Sequence, residues 1–482
     1  MLRLYRTKTP MNIFFNGELI FLEHSLACDV SSRPIFLDDK KNKHVIFKAF
    51  QSEAHDEFKH KWNHNMRNND IKYFKCLMCN HTIKSDQIRR HKQKAPNGLK
   101  YAILWPNYNP FIDYCYDIDI PIYHSTVLSK ALGVRKVYIL DEGCNISGSM
   151  KDYLVKKTIQ LAEKKNISIF NIASSGNHAL SLANQTQMHG YSSLIFVPAS
   201  SFKIKHLSTF DNTLVIALKD ATYEDVYRLS NQINVSEIFN ANVSNELLIT
   251  GFQPVARQIC ALSPLPSHIL AGVGNGTYLS GLAWSFQHTL AKLPKIVPVG
   301  MKGAFPFENA VNENINIYKY RMLGENKKQI DEAPGSIALE SYNMPQLFHA
   351  LKLSDGFPLG GLKNSDLRNA YSLLMNDETL MRNCVIPEPT GIMGLAAAIK
   401  HKQKFSGDDI LLISFTGHAF TNIDSVKRLV PEMKQYLNLK LPYKKNKLFK
   451  MDSKICQNII YMHKNIRHED LNRIIQNWIN TI

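Results

Sequence analysis

At 482 residues the chain exceeds what one hydrophobic core normally supports, so two or three packed units are expected. Apolar residues at 44% and charged residues at 21% are ordinary for a soluble globular protein and exclude wholesale disorder. No run approaches the roughly 18–20 apolar residues that span a bilayer, and the formal net charge of +17 is dispersed without a groove-reading module, which excludes a membrane-spanning protein and a specific nucleic-acid reader.

The N-terminus places Arg3, Arg6 and Lys8 before the apolar Ile13, Phe14 and Phe15, but Asn16, Glu18 and Glu23 break the run, so a cytoplasmic protein is expected rather than a secreted one. Eight mostly isolated cysteines fit reduced thiols better than a disulfide framework. Residues 1–115 are rich in His, Asn and Lys, show little strand–helix alternation, and are read as an N-terminal extension. Within it Cys76 and Cys79 have the two-residue gap of a zinc knuckle, and His60 and His64 are four apart, on one face if that stretch is helical. These four residues are a candidate structural zinc set, and a rival set takes His81 or His91 in place of one histidine.

From about Tyr123 to His418, short β-branched runs alternate with amphipathic stretches, and Gly, Ser and Asn mark the changeovers. This pattern predicts an α/β fold with mainly parallel strands over 136–141, 167–173, 193–198, 214–218, 268–273, 296–301 and 410–415.

Four segments at strand ends or helix starts carry chemistry. In 145–152 (NISGSMKD), Lys151 stands at a helix start, where the helix dipole and burial both favour a neutral, nucleophilic amine able to attack an aldehyde. In 173–179 (ASSGNHA), the backbone amides with Ser174, Ser175, Gly176, Asn177 and His178 can receive a carboxylate or a phenolate oxygen. In 271–278 (AGVGNGTY), Gly274, Asn275, Gly276 and Thr277 lie between a strand and a helix and suit a phosphate. A dinucleotide site would need a third glycine and an acidic residue after the next strand; Thr277 and Leu279 stand where that glycine should fall, and the next strand ends in Gly300, Met301 and Lys302. In 414–419 (SFTGHA), the Thr416 hydroxyl can meet a ring nitrogen. The last stretch, 431–482, is basic and weakly periodic, with a joint at 444–450 and a short helix expected over 470–479.

In order and spacing these segments resemble the tryptophan synthase β-like family of pyridoxal-phosphate enzymes, fold type II, and within it the threonine synthases. Further matches are Asp141-Glu142-Gly143, Phe196-Val197-Pro198-Ala199, Glu388-Pro389-Thr390-Gly391 and Thr416-Gly417-His418. The resemblance implies a two-lobed catalytic region over 116–430, with Lys151 bonded covalently to pyridoxal 5′-phosphate. Asn177 would meet its phenolic oxygen, residues 274–277 its phosphate and Thr416 its ring nitrogen. Ser174, Ser175, Gly176, His178 and Asn242 would bind a small amino-acid substrate, and a homodimer is implied.

The implied chemistry is β- or γ-elimination or replacement, as in threonine synthase, with cysteine synthase or serine/threonine dehydratase activity as alternatives. A pyridoxal-phosphate protein without catalysis is the alternative of another class. Two departures bear on the substrate. His178 follows the turn asparagine where Thr is common, and Leu248 occupies the place of an arginine that grips a substrate phosphate, which speaks against O-phosphohomoserine.

Overall fold

The computed structural model describes residues 11–15, 18–22, 73–94, 103–107, 119–174, 176–201, 203–233, 235–313, 332–336, 341–433 and 459–481. Two mainly parallel sheets dominate. The larger has strand order Leu359–Leu362, Lys295–Met301, His268–Gly272, Ile410–Phe415, Lys136–Asp141 and Ile122–His124, all parallel except the last, an antiparallel edge. The smaller runs Ile238–Asn240, Ile169–Ala173, Ser192–Pro198, Thr213–Lys219 and Ile459–His463, all parallel.

Alternation along these strands explains why both sheets are covered on both faces. In the larger sheet Tyr138, Leu140, Ile269, Ala271 and Leu412 enter one core, while Val137, Ile139, Leu270, Leu411 and Ile413 enter another on the opposite face. In the smaller sheet Leu194, Phe196, Leu214 and Ile216 join the first of these cores, and Ile195, Val197, Val215 and Ala217 a third. Side chains of period two filling both faces are the mark of helix-covered parallel sheets. The core shared by the two sheets holds the lobes together, and Trp284, Phe252 and Tyr153 are fully buried in it.

Every strand expected from the sequence is present, with ends shifted by two residues at most. Four strands of these two sheets were not foreseen. Ile122–His124 and Ile238–Asn240 have three residues each, Leu359–Leu362 reads Leu-Gly-Gly-Leu, and Ile459–His463 lies in the basic tail. That last strand pairs with Thr213–Lys219 and leads to the helix His468–Ile479, whose Leu471 and Ile475 are buried in the shared core. Ahead of these two sheets in the chain, Thr82–Lys84, Tyr73–Cys76 and Leu104–Pro106 form a small antiparallel sheet, and Met11–Phe15 pairs with Glu18–Leu22. Among the described residues no helix is long and apolar enough to cross a membrane.

Candidate active site

A cleft of about 360 Å³ opens where strands of both sheets end, at Ala173, Pro198, Gly272 and Thr416. Open parallel sheets bind ligands at the carboxyl ends of their strands, because side chains and helix N-termini converge there. Lys151, Ser174, Gly176, Asn177, His178, residues 274–277 and Thr416 all line this one cleft.

Lys151 is the first residue of the helix Lys151–Glu163, and its segment is knitted to the last large-sheet strand. Met150 N–H donates to Thr416 O (3.0 Å) and His418 N–H to Gly148 O (2.8 Å). Glu388 N–H donates to Gly417 O (2.8 Å), which brings a third segment into the same knot. Asp152 fixes the helix from below: it accepts from Ser147 N–H (2.8 Å), Gln185 Nε2 (3.1 Å) and the Ser181 hydroxyl, tying the lysine segment to the helix Asn177–Met188. The lysine is part-buried and lines the cleft. Burial pushes its amine down to about 8, against the opposing pull of the Glu388 charge.

The glycine turn is built by close approach. A Cβ on Gly274 would stand 2.7 Å from Gly335 O, a Cβ on Gly272 2.5 Å from Thr390 O, and Gly276 has a φ of +90°. Asn275 Oδ1 accepts from Tyr342 N–H (3.0 Å), and the Thr277 hydroxyl donates to Asn343 Oδ1 (2.9 Å). The turn therefore leans on 341–343 and opens the ten-residue helix Thr277–Phe286, whose first-turn amides lack intrahelical acceptors and face a favourable field for an anion.

On the opposite wall Asn177 is held between charges. Its Nδ2 donates to Glu388 Oε1 (2.7 Å), and its Oδ1 accepts from Lys203 Nζ. One amide N–H remains for a further acceptor. Glu388 also accepts from the Thr421 hydroxyl (2.8 Å), and a Cβ on Gly417 would reach within 2.8 Å of its carboxylate. Lys203 is buried, and that burial brings its amine to about 8. His178 is buried as well, and its Nε2 finds no hydrogen-bond partner among the described residues. Burial first, and then the Lys151 charge, bring its ring down to about 3, so the imidazole is neutral at physiological pH.

Beneath the cleft floor Glu142 receives Tyr278 Oη–H (3.0 Å) and Asn145 Nδ2 (2.8 Å), and burial raises its carboxyl to about 7. Tyr278 Oη also lies within hydrogen-bonding distance of the Ser414 hydroxyl (3.0 Å), from which it can accept, so the glycine-turn helix, the lysine segment and the last strand share one buried network.

These features fit pyridoxal phosphate on chemistry alone. They comprise an anion cradle that only glycine can make, an amine poised between its charged and neutral forms, a spare amide N–H, an orphaned buried ring nitrogen and a hydroxyl at Thr416.

Some expected site residues lie elsewhere. Asn242 does not line the cleft: its Oδ1 accepts from Ala173 N–H (2.9 Å) and its Nδ2 donates to Ser230 Oγ (3.0 Å), so it braces the strand that carries the Ser174 turn. Its neighbour Val243 faces the cleft instead. Leu248 is fully buried in the shared core. Ser175, His60 and His64 lie outside the described residues. Lys203 escaped the sequence reading because a lysine in the loop after Pro198 has no local signature, and Glu388 was seen only as part of a matching motif; nothing local announces that the two meet at Asn177.

Residues 117–417 match the family model described as pyridoxal-phosphate dependent enzyme. A threonine synthase of Methanocaldococcus jannaschii is 24% identical over 326 residues, which cover 65% of this chain and 77% of that enzyme. A biosynthetic L-threonine dehydratase of Staphylococcus aureus is 23% identical over 293 residues, covering 56% of this chain and 64% of that enzyme. In three dimensions a fungal L-serine ammonia-lyase from Rhizomucor miehei superposes with a TM-score of 0.55 at 16% identity, covering 65% of this chain and 97% of that one, a likeness of fold.

Proposed function

The chain belongs to the pyridoxal-phosphate-dependent enzyme family, and on that premise we propose that its cleft carries out β- or γ-elimination or replacement on a small amino acid, with Lys151 as the lysine that holds the cofactor. The observation that carries this reading is the meeting, in one cleft, of an amine brought to about 8 with a glycine cradle and an asparagine amide from distant parts of the chain.

Residues 274–277 would hold the phosphate, Asn177 the phenolic oxygen and Thr416 the ring nitrogen. A hydroxyl opposite that nitrogen is a weak proton source, which leaves the ring a moderate electron acceptor and suits elimination over transamination. When bound, the cofactor supplies a sink for negative charge at the substrate α-carbon. The protein supplies the rest. Lys151 is the base that takes and returns the α-proton, a role for which an amine near 8 is well matched. Ser174 Oγ accepts from Gly176 N–H and Ala179 N–H (both 3.3 Å), which leaves its own proton free for a substrate carboxylate. His178, uncharged, would donate to or accept from the substrate without adding a charge to the cleft.

With Leu248 inside the core, its position presents no guanidinium to a substrate phosphate, which favours an unphosphorylated substrate such as serine or threonine. We place the activity in the cytoplasm and, by family likeness, in a homodimer. The test is a panel of L-serine, L-threonine, O-acetyl-L-serine and O-phospho-L-homoserine offered to the holoenzyme, with assays for ammonia, 2-keto acid and substituted amino acid. Keto acid from serine or threonine is expected. Threonine and phosphate formed from O-phosphohomoserine as the preferred reaction would overturn the substrate assignment.

A further inference from the structure

The small sheet ahead of the catalytic region brings together Cys76, Cys79 and His91, whose ligand atoms all lie within 4.8 Å of one another. Cys79 Sγ and His91 Nε2 are 3.7 Å apart. Tetrahedral ligands at about 2.1–2.3 Å from a zinc ion are themselves about 3.4–3.8 Å apart, so the triangle needs little contraction to close on one.

The surrounding backbone has the form that a metal-bound thiolate pair requires. The strand Tyr73–Cys76 ends at the first cysteine, and the chain reverses through Leu77 and Met78, with Asn80 N–H donating to Cys76 O (2.9 Å) and Cys76 N–H to His81 O (2.8 Å). Asn80 adopts a φ of +62°, the left-handed conformation that asparagine tolerates better than most side chains. Backbone amides of Met78 and Cys79 approach the Cys76 sulfur, and that of His81 approaches the Cys79 sulfur, the arrangement of a turn folded around two sulfurs. The helix Ile88–Gln93 then returns His91 to the same point. His81, also in contact with Cys79, stays outside the triangle, and the expected partners His60 and His64 lie outside the described residues.

We propose that Cys76, Cys79 and His91 bind a zinc ion, with the fourth position left to water or another side chain, and that this ion steadies one wall of the catalytic cleft. The link is the residue next to His91. Lys92, buried, pairs with the buried Glu246 (2.5 Å) and reaches Ser244 O (3.5 Å). Ser244 is also held by Tyr227 Oη at its N–H (3.1 Å), and the adjoining Val243 lines the cleft. The unit is anchored further by Trp284 Nε1 donating to Pro106 O and Gln346 Nε2 to Leu104 O (both 2.8 Å). Fixing His91 on a metal fixes the turn of helix that presents Lys92, and through it the loop 243–246. This assignment is independent of which reaction the cleft performs.

The experiment uses the full-length holoenzyme, purified without metal-affinity resin or chelator. Elemental analysis is expected to find close to one zinc per chain. Cys79→Ser replaces an exposed side chain by a near-isostere and His91→Ala removes a half-buried ring, so both variants are expected to fold and to lose most of that zinc. Cobalt substituted for zinc should give thiolate-to-metal charge transfer in the ultraviolet and red d–d absorption of a tetrahedral site, clear of the cofactor's band. Hydrogen exchange at 243–248 should quicken when the metal is stripped, with exchange at 274–277 little changed. Wild-type protein with zinc no higher than background and no thiolate–cobalt band, or a Cys79→Ser protein with undiminished zinc, overturns the site. Metal loss without faster exchange at 243–248 overturns its coupling to the cleft.

Discussion

The two walls of the cleft are built in different ways. The glycine turn is local: residues 272–277 follow one another in the chain, and their function rests on backbone that approaches other backbone within distances no Cβ allows. The wall around Asn177 is made by side chains from separate segments, since Lys151, Asn177, Lys203 and Glu388 span more than two hundred residues and meet through hydrogen bonds and charge. The first kind of wall tolerates no added atom, and the second tolerates no lost charge.

Variants can break this comparison or sharpen it. The largest effect is expected of Lys151→Ala, which removes the base itself: turnover should fall by about 10²–10⁴-fold, with loss of the visible band of bound cofactor. Gly274→Ala tests the backbone wall. Its Cβ would lie 2.7 Å from Gly335 O, and overpacking of about 1–3 kcal/mol should weaken cofactor binding by about 10–100-fold, measured by equilibrium titration of the apoprotein. Asn242→Ala marks the boundary between site and scaffold. It strands Ala173 N–H and should cost about 1–3 kcal/mol of stability in denaturant unfolding, while KM changes little in the folded enzyme.

The smallest effect is a shift in pH dependence. Below about pH 8 the Lys151 amine is mostly protonated and cannot attack an aldehyde, so the rate of cofactor attachment to apoprotein should rise with pH and level off above about 8. The Glu388 carboxylate holds protons on both Lys151 and Lys203. Glu388→Gln should therefore move the midpoint of that profile to lower pH. A shift to higher pH would show that the charges around Asn177 are not arranged as described.

The same contrast explains what the sequence disclosed. Strands buried on both faces announce themselves by composition, and the seven expected ones are all present. The glycine turn and the lysine at a helix start are contiguous patterns whose physics is local. Asn242 was misplaced as a substrate ligand because motif order cannot tell which of two adjacent residues, Asn242 or Val243, faces the cleft. Lys203 passed unnoticed because its role depends on Asn177 and Glu388 reaching it from elsewhere in the fold. The strand Ile459–His463 was hidden by its basic surroundings, since an edge strand needs a neighbour with free backbone more than a strong pattern of its own.

Two lysines of the same cleft, each brought to about 8, compete for the role of cofactor lysine. Borohydride reduction of the holoenzyme, followed by proteolysis and mass mapping, reads out which amine carries the cofactor. The account predicts a phosphopyridoxyl group on the peptide containing Lys151 and none on that containing Lys203; the label on Lys203, or on neither, would contradict it.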